Sequence, residues 1–231
     1  NQQNYSQWLK DNLIHINDLP ELQNEFIPSK VAIKTKQKIF GYTLEDIKFI
    51  IKPMAIEGKE AIGSMGADTP IALLSKKPQL LFNYFKQLFA QVTNPPIDAI
   101  REEIIMSEQV MLGPEKNLLE ETPEHCRRLK IDKPILLNEQ LWKIKELDRV
   151  DLRAETFPTI YPKGKVGGLE RALSDVFIKT DKAIENGKTI IILSDRYSDE
   201  NNIPIPSLLV CSGLHHHLIK KGTRTKVSII I

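Results

Sequence analysis

The stretch Thr189-Ile190-Ile191-Ile192-Leu193-Ser194 decides the fold class, because it is apolar almost throughout and lies just after Gly187. A short apolar run of this kind is typical of a strand whose two faces are both covered, as in a parallel sheet. A second such run occupies residues 227–231. The two runs predict parallel strands in one buried sheet.

Helix signals lie on both sides of the first run. Residues 168–186 have apolar side chains at helical spacing, and Gly187 is placed to end that helix in the left-handed conformation. Residues 206–221 have a proline near the first turn and Gly222 after the last turn. With a strand predicted at 151–157, the order is β-α-β-α-β, which implies parallel strands and right-handed crossovers. We therefore expect an α/β fold, a parallel sheet with flanking helices, either open and doubly wound or an incomplete (β/α) barrel.

The first half of the chain has weaker patterns. Thr43 is a good N-cap for a helix that Pro53 ends or kinks. Apolar residues recur at helical spacing from 78 to 92, which predicts an amphipathic helix. The remaining predictions are a helix-rich start at 5–27, a basic linker at 30–38, a helix at 97–107, an ordered connecting segment at 108–134 and a short helix at 138–147.

The charge balance argues against nucleic-acid and membrane partners. The chain carries 32 basic and 30 acidic side chains, a formal net charge of +2, so no strong field attracts a polyanion. No apolar run approaches the ~20 residues that span a bilayer. The two cysteines, Cys126 and Cys211, are too few for a disulfide framework or a thiolate metal cage and fit a reducing compartment.

The loop at residues 58–70 is rich in glycine. Gly58, Gly63 and Gly66 allow close backbone approach, and Lys59 offers a charge to a phosphate. The spacing, however, fits neither G-x-G-x-x-G nor G-x-x-x-x-G-K-[ST]. The simpler interpretation is a structural loop packed against a neighbouring domain.

Polar side chains follow the buried run at 189–194, at the strand edge where α/β proteins place active sites. Ser194, Asp195 and Arg196 therefore support an alternative function, that of an autonomous small-molecule-binding domain or enzyme with its site at Asp195 and Arg196. Asp195 is equally suited to cap a turn and pair with Arg196. Three consecutive histidines, residues 215–217, point ~100° apart on a helix and do not converge on one metal ion. The pair at 125–126, His-Cys, lacks any signature of a nucleophilic dyad.

Four blocks are more informative as strings than as single residues. The first block comprises GYTLED at 41–46, IEGKE at 56–60, GSMG at 63–66 and TPIALLS at 69–75. The second is YFKQLFAQVTNPPID at 84–98 with RE at 101–102, and the third is GPEKNLL at 113–119 with PEHC at 123–126. The fourth is LSDR at 193–196, PIPSLL at 204–209 and HHHLI at 215–219. In this order they cover most of residues 40–231, and they resemble the central domain of glutamate synthase.

The resemblance implies a role within a larger enzyme. Enzymes of this family convert glutamine, 2-oxoglutarate and two electrons into two glutamates, and so assimilate ammonia. An amidotransferase domain releases ammonia, which passes inside the protein to an FMN-binding barrel, while a [3Fe-4S] cluster relays electrons to the flavin. The central domain joins these domains, resembles a degenerate (β/α) barrel and holds no cofactor. The implied partners are those domains of the same chain and ferredoxin or an NADPH-dependent small subunit; the implied location is a plastid stroma or bacterial cytoplasm.

The resemblance also assigns parts of this chain. Residues 1–39 are expected to be a helical segment or linker toward the amidotransferase domain, and 40–231 to be the central domain. Because the sequence starts without methionine and ends in an apolar run, we expect a piece of a longer chain. The loop residues expected at the domain junction, near the ammonia route, are Gly63, Ser64, Met65, Gly66, Asp68 and Thr69.

Catalytic and cofactor-binding residues are not expected in this chain. Asn1 is not the N-terminal cysteine of the family's amidotransferase domain, and two cysteines are fewer than the three that its cluster needs. Ala67 departs from the acid that relatives often carry beside Asp68. Richness in Ile, Lys and Asn indicates an AT-rich genome, such as that of a plastid or a cyanobacterium, and favours the ferredoxin-dependent form.

Overall fold

A computed structural model of the protein describes residues 4–21, 30–58, 72–76, 79–85 and 98–231. The chain divides into two compact units: the first comprises residues 1–27, 107–197 and 201–231, and the second comprises residues 28–106 and 198–200. No helix in the described part is long and apolar enough to cross a bilayer.

The described elements are short apart from two long helices. The helices are α1 (Tyr5–Asn12), α2 (Lys30–Ile39), α3 (Lys52–Glu57), α4 (Ala99–Ile105), α5 (Asn138–Lys145), α6 (Gly168–Glu185) and α7 (Ser207–Lys220). The strands are β1 (Ile14–His15), β2 (Val110–Leu112), β3 (Leu129–Ile131), β4 (Asp148–Arg149), β5 (Leu152–Pro158), β6 (Ile160–Pro162), β7 (Ile190–Ser194), β8 (Asn202–Pro204) and β9 (Ser228–Ile230).

The first unit is built on a four-stranded sheet with the order β4-β5-β7-β9. Strands β5, β7 and β9 are parallel, with Thr156 opposite Ile192 and Ile192 opposite Ile230, whereas β4 is antiparallel to β5. This confirms the predicted parallel pairing of the two apolar runs and the strand before them. Helices α6 and α7 lie within a residue or two of their predicted limits.

Strand β7 separates two hydrophobic cores. Ile190 and Ile192 belong to one core cluster, whereas Ile191 and Leu193 belong to the other, and these four side chains are at most 4% exposed. Successive side chains of a strand point to opposite faces, so a strand with apolar residues at every position is buried from both sides. The continuous apolar run is explained by this double burial.

The two faces of the sheet are covered by different elements. Val176 of α6 and Leu214 of α7 lie in the same core, so both crossover helices cover one face. The other face is covered by α5 and by a small sheet with the order β1-β3-β2, in which β1 is parallel and β2 antiparallel to β3. The fold is therefore mixed α/β, and the described residues form no closed barrel.

The start of the chain contributes to the first unit's core, which the sequence patterns did not predict. Strand β1 pairs with β3, and Ile16 and Leu19 are 2% and 6% exposed within the core cluster that also holds Ile190. A second unpredicted pair, β6 with β8, is antiparallel. Sheets of this kind leave little signal because their strands have only two or three residues.

In the second unit, the predicted linker at 30–38 is wrong, since these residues lie in α2. Thr43 caps the next helix as predicted, with Asp46 N–H donating to its hydroxyl at 3.1 Å and its own N–H donating to the Asp46 carboxylate at 2.8 Å. That helix continues through Pro53 to the end of α3, after a π-helical stretch at Asp46–Ile51. The expectation that the helix ends at Pro53 is therefore wrong. In the π-helical turn before it, the N–H of Lys52 donates to the carbonyl of Ile47, five residues back.

Two further helix predictions fall in this unit. The predicted helix at 97–107 corresponds to α4, which begins after the N-cap Asp98. Of the amphipathic helix predicted at 78–92, residues 79–85 are described, and Leu81–Phe85 form a 3-10 helix. The other residues of that prediction lie outside the described residues.

Candidate functional site

The predicted junction loop lies almost entirely outside the described residues, and this includes Gly63, Ser64, Met65, Gly66, Asp68 and Thr69. Its first residue, Gly58, is described: it ends α3 with φ +60°, and its N–H donates to the carbonyl of Met54. A left-handed glycine at this position turns the chain out of the helix axis. The role of the loop stays a prediction.

Asp195 and Arg196 lie where the sequence placed them, directly after β7 at the carboxyl edge of the parallel strands. They line a cavity of about 720 Å³ in the first unit. A volume of this size is within the range that binds small molecules. The edge therefore has the space as well as the polar groups of a binding site.

The cavity lies on the face of the sheet that carries Ile192, at the carboxyl ends of the strands. Ile192 lines it, and Ser194, two residues later, points to the same face. Most of its wall is apolar, with Ile131, Pro134, Leu136, Leu141, Ile192 and Ile229 among the lining residues. Ser194 is only 5% exposed, and its hydroxyl makes no hydrogen bond within the described part of the chain.

Charged groups surround this apolar wall. The Arg196 guanidinium donates to the side-chain oxygen of Asn138, at the start of α5. Burial lowers the pKa of the nearby Lys145 ammonium, and the positive charge of Arg196 lowers it further. Lys145 also sits over the ring of Trp142, 4.4 Å from its centroid. Arg196 lines the cavity, and Lys145 lies close enough to Arg196 for its pKa to be lowered by that charge.

The amino end of α7 faces the same cavity through Ser207. The N-cap residue, Pro206, provides no side-chain cap. The first N–H groups of a helix have no partner inside the helix, and they carry the positive end of its dipole. The sequence pattern indicated Ser194, Asp195 and Arg196 at this edge but not Ser207, whose position beside them depends on how α7 returns to the sheet.

Two of the three consecutive histidines of α7 have hydrogen-bond partners outside the helix. His215 Nδ1 accepts a hydrogen bond from Arg224 Nε at 3.0 Å, while His216 is exposed. His217 Nε2 lies 3.0 Å from both oxygens of Asp181, and its ring stacks on Phe177 at 5.0 Å between centroids. The described residues hold no group of three side chains suited to a metal ion. His215 and His217 thus join α7 to the turn that follows it and to α6.

The other sequence candidate, His125-Cys126, shows no dyad. His125 Nε2 lies 2.7 Å from the backbone oxygen of Glu120, and Cys126 is a free thiol. The histidine therefore holds a turn of the segment before β3.

A second cavity, of about 540 Å³, lies beside Asp151 at the amino end of β5. The Asp151 carboxylate is 3.4 Å from Lys116 Nζ and 3.4 Å from Arg127 Nη1. The sequence patterns did not indicate this cluster, because its members come from segments with no periodic signal. Its carboxylate is already paired with two cations, which favours a structural role.

Comparisons with known proteins identify the family. Residues 35–231 match the family described as glutamate synthase central domain. The chain is 47% identical over 227 residues to "Glutamate synthase [NADPH] large chain" of Bacillus subtilis, a match that covers 98% of this chain and 14% of that protein.

Two further relatives have the same character. "Ferredoxin-dependent glutamate synthase 2" of a Synechocystis strain is 38% identical over 231 residues, covering 98% of this chain and 15% of that protein. "Glutamate synthase [NADH]" of Schizosaccharomyces pombe is 44% identical over 194 residues, covering 83% of this chain and 9% of that protein. The chain thus spans 9–15% of the length of these relatives. It belongs to the glutamate synthase central domain family.

Proposed function

We propose that this chain is the central connecting domain of a glutamate synthase that converts glutamine, 2-oxoglutarate and two electrons into two glutamates. The observation that carries this proposal is the near-complete match of the chain to a small part of much longer glutamate synthases. In this role the domain joins an amidotransferase domain to an FMN barrel and contributes no catalytic residue.

The sequence composition supports the absence of a resident iron–sulfur cluster in this part of the enzyme. A [3Fe-4S] cluster needs three cysteine ligands close together, and the chain has two cysteines, at 126 and 211. FMN and the cluster are therefore assigned to other domains of the same enzyme. The boundary between a linker at 1–39 and the central domain at 40–231 is part of this proposal.

The electron donor of the full enzyme is proposed to be ferredoxin, as the composition of the chain favours. Relatives named for ferredoxin and for NADPH both match over 98% of the chain. Assaying the purified full-length enzyme with reduced ferredoxin and, separately, with NADPH and a small subunit tests this choice. Turnover with NADPH and the small subunit, but not with reduced ferredoxin, would contradict it. A plastid stroma or a bacterial cytoplasm is the proposed location.

The loop after Gly58 is proposed to lie at the domain junction near the ammonia route. Small hydroxyl side chains such as Ser64 and Thr69 offer hydrogen bonds to neutral ammonia without a charge that would trap it. The glycines permit close approach of a neighbouring domain. The alternative function of this loop is to form tight turns only, and it makes a different prediction for the experiment that follows.

The test compares two rates in the full-length enzyme. Replacing Gly63 or Ser64 with phenylalanine is expected to leave glutamine hydrolysis in place but to lower glutamate formation from 2-oxoglutarate, since ammonia would escape to solution. Val166→Phe is the matched control, because Val166 is 93% exposed in the other unit. Equal rates of the two reactions in a folded Gly63 or Ser64 variant would reduce the loop to scaffolding.

A further inference from the structure

The carboxyl edge of β5, β7 and β9 combines three features that the connecting role does not use. They are a cavity of about 720 Å³, the largely buried Ser194 whose hydroxyl opens into it, and a helix start without a side-chain cap. All of them belong to the first unit. Together they have the chemistry of a ligand site.

Ser194 is the strongest single indication of a ligand. Its side chain is 5% exposed, and no described residue accepts from or donates to its hydroxyl. Its Oγ is not among the fully enclosed side-chain atoms without a partner in the described residues, so the hydroxyl opens into the cavity that Ser194 lines. A ligand in the cavity is positioned to hydrogen-bond with it.

Some of the groups around the cavity favour a negatively charged part of a ligand. The first N–H groups of α7 and the Ser207 hydroxyl offer donors at the positive end of a helix of 14 residues. Arg196, which also lines the cavity, adds a positive charge. A carboxylate is the simplest organic group that such donors bind.

Asp195 favours a positively charged part of a ligand. Asp195 lines the cavity and forms no ion pair within the described residues. An anion alone would be repelled by Asp195, whereas a cation alone would be repelled by the start of α7 and by Arg196. A ligand that carries both charges on neighbouring atoms avoids both costs.

We propose that this cavity binds a small zwitterion, an α-amino acid with an apolar side chain. Its carboxylate lies at Ser194, Ser207 and the amino end of α7, and its ammonium lies at Asp195. The side chain occupies the apolar wall formed by residues such as Ile131, Leu141 and Ile192. The proposal does not depend on the connecting role of the domain.

Hydrogen-exchange mass spectrometry of the full-length protein tests the site directly. The probes are L-leucine, its deaminated analogue 4-methylpentanoate and its decarboxylated analogue isopentylamine. L-leucine is expected to protect peptides spanning 192–197 and 206–210 with a dissociation constant on the order of 1 mM. Each analogue, which lacks one charge, is expected to need roughly tenfold more ligand.

Two variants identify the groups. Asp195→Asn is expected to weaken L-leucine at least about tenfold without weakening 4-methylpentanoate, and Ser194→Ala to weaken both. Asp175→Asn, which removes the same charge from an exposed position on α6, is the control and should change neither. Unchanged exchange in α6 shows that a variant is folded.

Three results would overturn the proposal. The first is no protection by L-leucine at concentrations of about 50 mM, well above the expected dissociation constant. The second is equal protection by all three probes, or an effect of Asp195→Asn no larger than that of Asp175→Asn. The third is full protection of residues 195–197 and 207–208, which lie outside the ladder of β7, without any ligand, because another part of the enzyme would then cover the cavity.

Discussion

Gly113 is expected to be among the least replaceable residues of the first unit. It has φ +128°, in a region that side-chain-bearing residues rarely adopt, and a Cβ there would lie 3.1 Å from Leu152 Cδ2. Its backbone is also fixed, since its N–H donates to the Ser228 hydroxyl at 3.0 Å and its carbonyl accepts from that hydroxyl at 3.1 Å. The backbone therefore has little freedom to relax when a methyl group is added.

The expected magnitude combines three terms. A residue other than glycine in such a conformation costs ~1–3 kcal/mol, and crowding against a side chain that is 2% exposed costs ~1–3 kcal/mol more. Alanine also lowers the conformational entropy of the unfolded chain, which offsets ~0.5–1 kcal/mol of this loss in stability. We expect Gly113→Ala to lower the free energy of unfolding by about 3 kcal/mol.

Gly187→Ala is the matched control. Gly187 has φ +77°, but a Cβ there meets nothing within 4 Å. The strain is present without the contact, so we expect a loss of about 1 kcal/mol. The difference of ~2 kcal/mol between the variants isolates the packing of Gly113 against β5 and β9.

The assay is equilibrium unfolding in urea, followed by the fluorescence of Trp8 and Trp142. Both tryptophans lie in the unit that contains the two glycines, so the signal reports on the correct part of the chain. If Gly113→Ala costs no more than Gly187→Ala, the contact with Leu152 and the double hydrogen bond to Ser228 contribute nothing measurable, and the reasoning is refuted.

Three further predictions concern the core and two titrating groups. Ile191→Ala is expected to cost 2–5 kcal/mol in the same urea assay, because Ile191 is fully buried; a cost below ~1 kcal/mol would contradict the double burial of β7. Hydrogen bonds from the Thr43 hydroxyl and N–H lower the pKa of Asp46 below 3.8, so its contribution to stability is present above that pH and is lost as pH falls through the lowered pKa. Thr43→Ala should raise this pKa in an NMR titration, and an unchanged value would show that the cap is not formed. Arg196→Gln should raise the pKa of the Lys145 ammonium, measured by NMR of its side chain, since one of the two causes of its lowering is removed; a fall or no change would place the two cations apart.

The parallel part of the sheet was predictable because its signals are local and strong. Strand β7 is apolar at nearly every position, and Gly187 and Gly222 end the two crossover helices with positive φ. Such signals depend on a few adjacent residues, which sequence alone displays. Helices α6 and α7 and strands β5, β7 and β9 therefore agree with the prediction, whereas the short strands β6 and β8 were not predicted.

The remaining elements were missed for physical reasons that differ from one to the next. Strands β1 and β3 have two and three residues, too few to show a period of two. The lysines of α2 give it the composition of a charged linker, although lysine, alanine and glutamine are good helix formers. In these cases tertiary pairing or intrinsic propensity decided the structure, and hydrophobic spacing did not.

The candidate site shows the same division between local and long-range information. Asp195 was found from sequence because a polar residue after a buried strand marks a sheet edge. The apolar wall was not found, because Ile131 and Leu141 reach the cavity through strand pairing and helix packing across more than 50 residues of chain. A sequence can thus indicate where a site is anchored more readily than what shape it has.

The two proposed working regions of this chain can be tested independently. The junction loop follows Gly58 in the second unit, whereas the cavity at Ser194 and Ser207 belongs to the first. The proposed connecting role involves the loop and does not involve an amino-acid site, so the two proposals make separate predictions. Uncoupled ammonia transfer in a Gly63 variant that still shows leucine protection would support both. Coupled transfer in an Asp195→Asn enzyme that no longer binds leucine would show that the cavity serves a purpose other than the transfer of ammonia.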